Sequence, residues 1–559
     1  MPSPEIRNIL RVEDPRGYPQ WVVLALWLLA GLSLLAFLWV APCNRAQEAR
    51  VLVTAREMAQ EGGDRWLLPT CNGELRVQKP PMAYWGAAAL FLASGRATEF
   101  AGRLPSVAWA WLTLGLVYAA GVRWLSRPAG LVAAGMLLTS LLFYRYGRLA
   151  ETDIPATFAV TAAIIAFWRG LDTGDRAATP RQALLWCALG GAATGAAFLA
   201  KQGPGLYPLL FALAFGISQR NWRGLRVVAL AGVVPAVLVA APWYAYIVAK
   251  GYGQVFWTEA VVAAEGKDHG GSVLALVPLL IIATAPWCGL WPVGVILAWL
   301  DRRWPAAQAM LCWAGATLLP LLFVGNRQIH YLMPAMPPLM LLSAWAVERT
   351  SKGMAPQWLG AYAILTLRVL MVGAMVGGVV ALGVAGATVA GLVNVMDPHF
   401  AAATAALGVL LLVAGLAMRS PMRAGLPLTA TLRATAALAA VFVWLIGVWA
   451  IHLEPEDVHM ASEALRIAAG NSHLVFYGEP SLALVFQTGQ VIPVVRKRSP
   501  LPIAADDIAI VVESAPADPP ANLPQPWHLA WRGGPRGHHY QLWLAEDIAA
   551  PEPASTTRP

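Results

Sequence analysis

Side chains able to hold a phosphate or move a proton concentrate in one stretch, Asn44 to Trp85. It reads NRAQEARVLVTAREMAQEGGDRWLLPTCNGELRVQKPPMAYW and carries eleven charged residues in a chain that is otherwise mostly apolar. Glu48 can accept a proton, while Arg50 offers a forked guanidinium and Lys79 a point charge, both suited to phosphate oxygens. Later in the chain come Asp153, Lys201, the run Glu265, Lys267, Asp268 and His269, and the group Asn326, Arg327, His330 and Tyr331. Cations mixed with a few carboxylates suit a phosphate-bearing lipid headgroup and an acceptor proton to be removed. Taken singly, each also has an ordinary structural role open to it, because charged residues at the ends of apolar spans snorkel to water at little cost.

The elements that must position these groups are legible locally. Ala46 to Met58 contains good helix formers and neither Gly nor Pro, and Gly62-Gly63 ends the helix. Val51, Ala55 and Met58 recur at helical spacing, which predicts an apolar face on the membrane surface and a polar face of Glu48, Arg50, Arg56 and Glu57 toward water. Asn44 followed by Gln47 fits a capping box at the start. Gln78-Lys79-Pro80-Pro81 forces an extended backbone and presents Lys79 from a stiff support. Asp153 precedes Ile154-Pro155 at a span start, where an acidic cap is also normal.

With 58% apolar and 13% charged residues and a mean hydropathy of +0.56 over 559 residues, the chain reads as a polytopic membrane protein. The net charge of +9 does not imply nucleic acid, since most arginines sit in short loops and no basic stretch is interleaved with aromatics. Spans are expected at about 21–41, 103–123, 128–146, 154–170, 183–200, 204–218, 227–249, 273–299, 307–324, 329–347, 360–393, 401–418 and 430–452, thirteen transmembrane helices in all. Trp21–Pro42 is read as a retained span because it lacks a convincing cleavage site. Ala83–Ala93 is read as a re-entrant or surface helix, at roughly half the ~20 residues needed to cross.

One extra crossing would invert every later loop, and the positive-inside rule tests this parity. With the N-terminus inside, the short cytoplasmic segments hold eighteen Arg and Lys against six in the short outer loops, which supports it. The expected organisation is a cytoplasmic N-terminus (1–20), an α-helical transmembrane domain (21–452) with its charged first outer loop (42–102), a small extracytoplasmic α/β C-terminal domain (453–548), and a disordered tail (549–559). In the C-terminal domain a helix near Glu456–Ala469 precedes strand-like HLVFY, VIPVV, DIAIVV and YQLWL. No internal repeat of the kind found in transporters is visible.

AREM, WLLP and QKPPMAYW, followed in order by RYGRLAETDIPATF, FLAKQGPGLYP and NRQIHYLMPAMPPLMLL, resemble the motifs of GT-C-type membrane glycosyltransferases. The resemblance covers about residues 20–350 and is to the bacterial protein mannosyltransferase-like group and the aminoarabinose lipid A transferases. It implies a polyprenyl-phosphate-linked sugar as donor and a lipid or protein hydroxyl as acceptor on the extracytoplasmic side of the inner membrane. It also implies direct displacement, in which a carboxylate takes the acceptor proton while cations stabilise the departing lipid phosphate. By the resemblance, Arg50, Lys79 and Tyr331 match donor-phosphate positions, joined by Lys201 of the K-x-G-P pattern. Asp153 matches the acidic residue of the second outer loop, and His269 falls near a family histidine. Glu48 and Asp153 are the expected catalytic pair; Glu265, Lys267, His269, Arg327 and His330 are candidate acceptor or loop contacts.

The departures are specific. Gln47 stands where the family pattern begins with Asp, and a carboxamide cannot take a proton at neutral pH. Gln78 precedes the lysine where Glu is usual, which removes a ligand for a divalent metal, so no cofactor is certain. FWTEAVVAAEGKDHGG lacks the arginine expected after Glu259. Two alternatives therefore stay open: a catalytically silent relative that binds polyprenyl-phosphate lipid, and a transporter or flippase. The latter would place charges mid-span, as only Arg368 does. Cys43 and Cys71 lie in the expected outer loop, where a disulfide between them would contribute about 3 kcal/mol in the chain-entropy picture; two thiols are the alternative.

Overall fold

A computed structural model describes residues 19–40, 43, 45–173, 177–256, 258, 273–325, 327–392 and 398–448. In the C-terminal part it describes 462, 463, 465, 473–477, 480–495, 508–513, 527–533 and 540–545. The chain forms two compact units, one of Met1–Ala36, Val77–Ala83 and Arg103–Val448, the other of Phe37–Arg76, Tyr84–Gly102 and Trp449–Pro559. Among the described residues eight helices are long and apolar enough to cross a bilayer, from Glu99–Trp124 to Pro427–Val448, and shorter apolar helices such as Gln20–Leu35 and Arg127–Leu138 accompany them. The chain is a multispan helical membrane protein.

In the first unit, helix starts follow local chemistry. Ser126 accepts a hydrogen bond from Ala129 N ahead of Arg127–Leu138, Thr179 and Gln182 form a reciprocal capping box with Pro180 at the first position, and Asn221 caps Gly224 N. Met336–Ser351, with Pro337 and Pro338 in its tolerant first turn, is buried along nearly its whole length. At its end Arg349 pairs with Asp301 and lies over the rings of Trp345 and Trp304, at 5.1 and 5.8 Å.

Two expected single spans are each broken. The 128–146 span divides into Arg127–Leu138 and Leu141–Tyr146, and the 273–299 span into Leu276–Thr284 and Trp291–Leu300. The interruptions face one another. Leu141 N donates to Ala285 O at 3.0 Å and Trp287 Nε1 donates to Thr139 Oγ1 at 3.0 Å, so groups freed by one break are satisfied at the other. Thr139-Ser140 and Pro286 mark the places in the sequence, but periodicity cannot reveal that the two breaks meet.

The second unit contains a helix at Ala46–Glu61, a hairpin of β1 (Thr70–Cys71) and β2 (Glu74–Leu75), the helix Met82–Ser94 from Tyr84 onward, and a five-stranded sheet. At 13 residues Met82–Ser94 is about 20 Å long, short of a ~30 Å hydrocarbon core. The sheet strands are β3 (His473–Tyr477), β4 (Val494–Val495), β5 (Ile508–Glu513), β6 (Trp527–Gly533) and β7 (Tyr540–Ala545), in the order β4-β3-β5-β7-β6. The strand-like segments read from the sequence all contribute, with VIPVV reduced to two residues, while β6 was not anticipated. Most of the helix expected near Glu456–Ala469, and everything beyond Ala545, falls outside the described residues.

The expectation that Ala46–Glu61 lies on a surface with its charges in water is overturned. Glu48 is 1% exposed and Arg56 and Glu57 are 2% each, while Gln47 and Arg50 are exposed. Burial on both faces has specific causes. Arg56 donates to Val485 O at 2.6 Å and Phe486 O at 3.2 Å in the last turn of the helix Leu482–Thr488, and to Gln490 O just beyond it at 3.2 Å. Glu57 accepts from Thr70 Oγ1 at 2.6 Å, Asn72 N at 2.7 Å and Gly73 N at 3.3 Å, holding the Asn-Gly hairpin turn whose residues sit at φ +56 and +77. The Asn72 side chain exchanges two hydrogen bonds with the backbone of Ile492, at 2.7 and 2.8 Å. Nor is the helix start a capping box: Arg45 is the N-cap and makes no side-chain cap.

Close helix crossings in the first unit rest on small residues. A Cβ on Gly191 would lie 1.9 Å from Gly232 O, in the π-helical turn Val228–Gly232 of the neighbouring helix, whereas a Cβ on Gly373 meets nothing within 4 Å. Gly191→Val is therefore expected to lower stability by at least the ~1–3 kcal/mol of an overpacked core. In detergent this should appear as a fall in the thermal midpoint or loss of the monodisperse peak, with Gly373→Ala unchanged.

Candidate functional site

The first unit brings together four of the residues singled out by sequence, Asp153, Lys201, His330 and Tyr331. Asp153 is the first residue of the helix Asp153–Leu171 and is 5% exposed. Lys201 ends the helix Pro180–Ala200, and its Nζ donates to Asp153 Oδ1 at 2.6 Å. The same ammonium stands 4.7 Å from the centroid of the Tyr331 ring, on the turn Ile329–Ala335. His330 packs edge-on against Tyr331 at 4.7 Å and lies 5.8 Å from the Tyr146 ring. Tyr207, which sequence reasoning did not single out although it lies in the FLAKQGPGLYP motif, is within electrostatic reach of both Asp153 and Tyr331. The cluster thus presents a paired carboxylate and ammonium flanked by two phenols.

Its place along the bundle is defined by the helix that carries it. Asp153–Leu171 has 19 residues, about 28 Å of rise, close to a hydrocarbon core. At the far end Asp172 is 3.7 Å from Arg123. The carboxylates at the two ends of this helix therefore belong to opposite ends of the bundle, and Asp153, Lys201, Tyr207 and Tyr331 share one of them.

Arg148, counted from sequence only as a loop charge, is buried beside this end of the helix. Its guanidinium donates to Ser33 O at 2.9 Å and to Ala36 O, and lies over the Tyr144 ring at 5.5 Å, while Tyr144 Oη also donates to Ser33 O at 2.9 Å. It closes the carbonyl end of Gln20–Leu35. Glu151, in the charged RYGRLAETD run, is buried as well, and so is Arg103 of the helix Glu99–Trp124. Arg327, expected as an acceptor contact, donates to Leu321 O and Leu322 O at 3.1 and 3.0 Å and so closes the turn Leu319–Phe323.

Lys79 lies in the short Val77–Ala83 segment of the first unit and is partly exposed. Glu48 and Arg50 belong to the second unit, Glu48 buried in the first helical turn and Arg50 exposed. Glu265, Lys267 and His269, with Asp268 and Asn326, lie outside the described residues. Among the described residues no group of three or more His, Cys, Asp or Glu side chains could hold a metal ion.

This architecture resembles that of GT-C membrane glycosyltransferases. Compared with the crystal structure of ArnT from Cupriavidus metallidurans bound to undecaprenyl phosphate, the chain gives a TM-score of 0.73 at 19% identity, covering 96% of this chain and 100% of that one. The apo form of the same protein gives 0.68 at 21% identity, with 85% of each chain covered. A family model, dolichyl-phosphate-mannose-protein mannosyltransferase, matches residues 78–246. The chain is similar to the undecaprenyl phosphate-alpha-4-amino-4-deoxy-L-arabinose arabinosyl transferases of Pectobacterium carotovorum (30% identity, 58% of this chain and 59% of the relative) and Pectobacterium atrosepticum (30%, 66% and 65%). That of Pseudomonas aeruginosa is 33% identical over 52% of this chain and 54% of the relative. The chain thus matches between about half and two thirds of the length of these relatives. It resembles GT-C membrane glycosyltransferases, as its motifs implied.

Cys43 and Cys71, where a disulfide was one expectation, are both thiols. Cys71 Sγ is directed at Arg50 O, 3.9 Å away. Burial pushes the Cys71 thiol above its ordinary pKa, outweighing the nearby Arg76 that acts in the other direction. Since the thiolate is the reactive form, raising the pKa moves its reactivity to higher pH. Iodoacetamide should label Cys71 without prior reductant, several-fold more slowly at pH 8 than in the denatured chain, and with a rate still climbing above pH 9 when followed by peptide mass spectrometry.

Proposed function

We propose that this chain is an integral-membrane glycosyltransferase that moves a sugar from a polyprenyl-phosphate donor to a hydroxyl of a lipid A-like lipid or a protein. The observation that carries the reading is the Asp153–Lys201–Tyr331 cluster at one end of a GT-C-type bundle. The acceptor oxygen attacks the anomeric carbon, the bond from that carbon to the phosphate oxygen breaks, and polyprenyl phosphate departs with the electron pair. The acceptor proton passes to a carboxylate. Asp153, its charge already met by Lys201, suits the task of orienting the acceptor hydroxyl. Glu48 is the proton acceptor in this reading, and Arg50, Lys79 and Tyr331 stabilise the phosphate. Glu265, Lys267, His269 and His330 are candidate acceptor contacts.

One observation favours the silent-relative reading instead. At the start of Ala46–Glu61 the exposed position is Gln47, a carboxamide, and the neighbouring carboxylate of Glu48 is buried. A transfer assay with polyprenyl-phosphate sugar separates the two. For an active enzyme, Glu48→Gln and Asp153→Asn should each cut turnover by about a hundredfold or more. If both keep wild-type turnover, these residues are not the catalytic pair. If wild type transfers nothing and Gln47→Asp creates transfer, the chain is a lipid-binding relative.

The proposed topology is thirteen spans across the inner membrane, with the N-terminus cytoplasmic and the C-terminal sheet periplasmic. The arginine asymmetry supports it. In intact cells, and in a background without native cysteines, an impermeant maleimide should label Gln490→Cys and leave Arg223→Cys unlabelled; labelling of Arg223→Cys would overturn the orientation.

A further inference from the structure

Between the helices Gln20–Leu35, Glu99–Trp124, Arg127–Leu138 and Pro427–Val448 of the first unit lies a cavity of about 730 Å³, within the range of ligand sites. Its walls are mostly aliphatic, with Trp27, Tyr118 and Thr435 among them. Trp27, stacked on Trp111 at 3.9 Å between centroids, makes one rigid side. Leu24, Leu29 and Ala119 at its edge are exposed, so on a spanning bundle the cavity opens sideways toward lipid. Its charged residue is Arg127, exposed at the start of its helix, and Gln20 lies at the same end. That placement follows from Trp27 meeting Gly115 and Gly121 meeting Gly130, which set Gln20 and Arg127 both level with the last turn of Glu99–Trp124. From Arg127 to Leu138, the lining runs along about 16 Å of helix, half of a ~30 Å hydrocarbon core and therefore the acyl depth of one leaflet.

We infer that this cavity is a binding site for one anionic glycerophospholipid, an acyl chain filling the apolar groove and the phosphate held by Arg127. Charge and dimension select this occupant: a guanidinium at the headgroup level favours an anionic over a zwitterionic lipid, and the groove reaches only as deep as a leaflet. The site is separate from the proposed donor and acceptor cluster. Arg127 stands at the Arg123–Asp172 end of the bundle, opposite Asp153 and Lys201, and no residue is shared between the two.

Native mass spectrometry of the detergent-purified full chain, with phosphatidylglycerol and phosphatidylcholine added in equal amounts, tests the inference. Wild type should retain one phosphatidylglycerol in clear preference. Arg127→Gln should abolish the preference while leaving lipid bound, and Ala134→Trp, which fills the groove, should cut retention of both lipids at least tenfold. Size-exclusion profiles check that each variant folds, and Ala119→Trp at the mouth replaces Ala134→Trp if the latter does not. Equal retention of the two lipids by wild type, an unchanged preference in Arg127→Gln, or unchanged retention in the filled variant would each overturn the site. So would displacement of phosphatidylglycerol by undecaprenyl phosphate, which would make the groove part of the donor site.

Discussion

A bilayer offers no hydrogen bonds, and the first unit is built around that constraint. Helices satisfy their own backbones, so the difficulty arises where a helix stops inside the bundle. The two interrupted helices solve it in pairs: the break at Thr139-Ser140 and the break at Ala285-Pro286 exchange hydrogen bonds, one through Leu141 N and one through the Trp287 indole. The same rule governs the carbonyl end of Gln20–Leu35, where Ser33 and Ala36 are taken up by Arg148 and Tyr144. Removing such a partner leaves a desolvated acceptor, at roughly 1–3 kcal/mol each.

Charge in this unit follows the same logic and ends up sorted by depth. Asp153 with Lys201 and Asp172 with Arg123 occupy opposite ends of one 19-residue helix, and neither carboxylate stands without a cation. An ion pair largely shielded from water is costly to assemble and more costly to leave half-made, which ties the Asp153 helix to the Lys201 turn. That tie gives the proposed site its rigidity. With Tyr207 and Tyr331 beside it, the pair presents polar atoms of both signs from elements that cannot easily rearrange.

In the second unit, buried charge is used for construction. Arg56 and Glu57 are adjacent on one helix and point into different partners, the guanidinium to the end of Leu482–Thr488 and the carboxylate to the Asn72-Gly73 turn. Hydrogen bonds to charged groups are worth roughly 1.5–3 kcal/mol each, enough to order a short hairpin and a small sheet that would be marginal alone. Residues that look like chemistry in a sequence can therefore be consumed by architecture.

Period, length and composition belong to the chain itself, and they determined its multispan helical character, the helix from Ala46 ending at Gly62, the Lys201 turn and four of the five C-terminal strands. The order of the motifs likewise carried the resemblance to GT-C transferases. What depends on partners distant in sequence was decided only in three dimensions. The AREM helix has an amphipathic pattern, yet its polar face is covered, because carbonyls more than four hundred residues away and a neighbouring turn need a cation and an anion there. Thr139-Ser140 and Pro286 mark where 128–146 and 273–299 break, but not that the two breaks would meet and exchange hydrogen bonds. Asp153 and Lys201 were each legible as candidates, but their 2.6 Å contact follows from helix packing that no local pattern encodes.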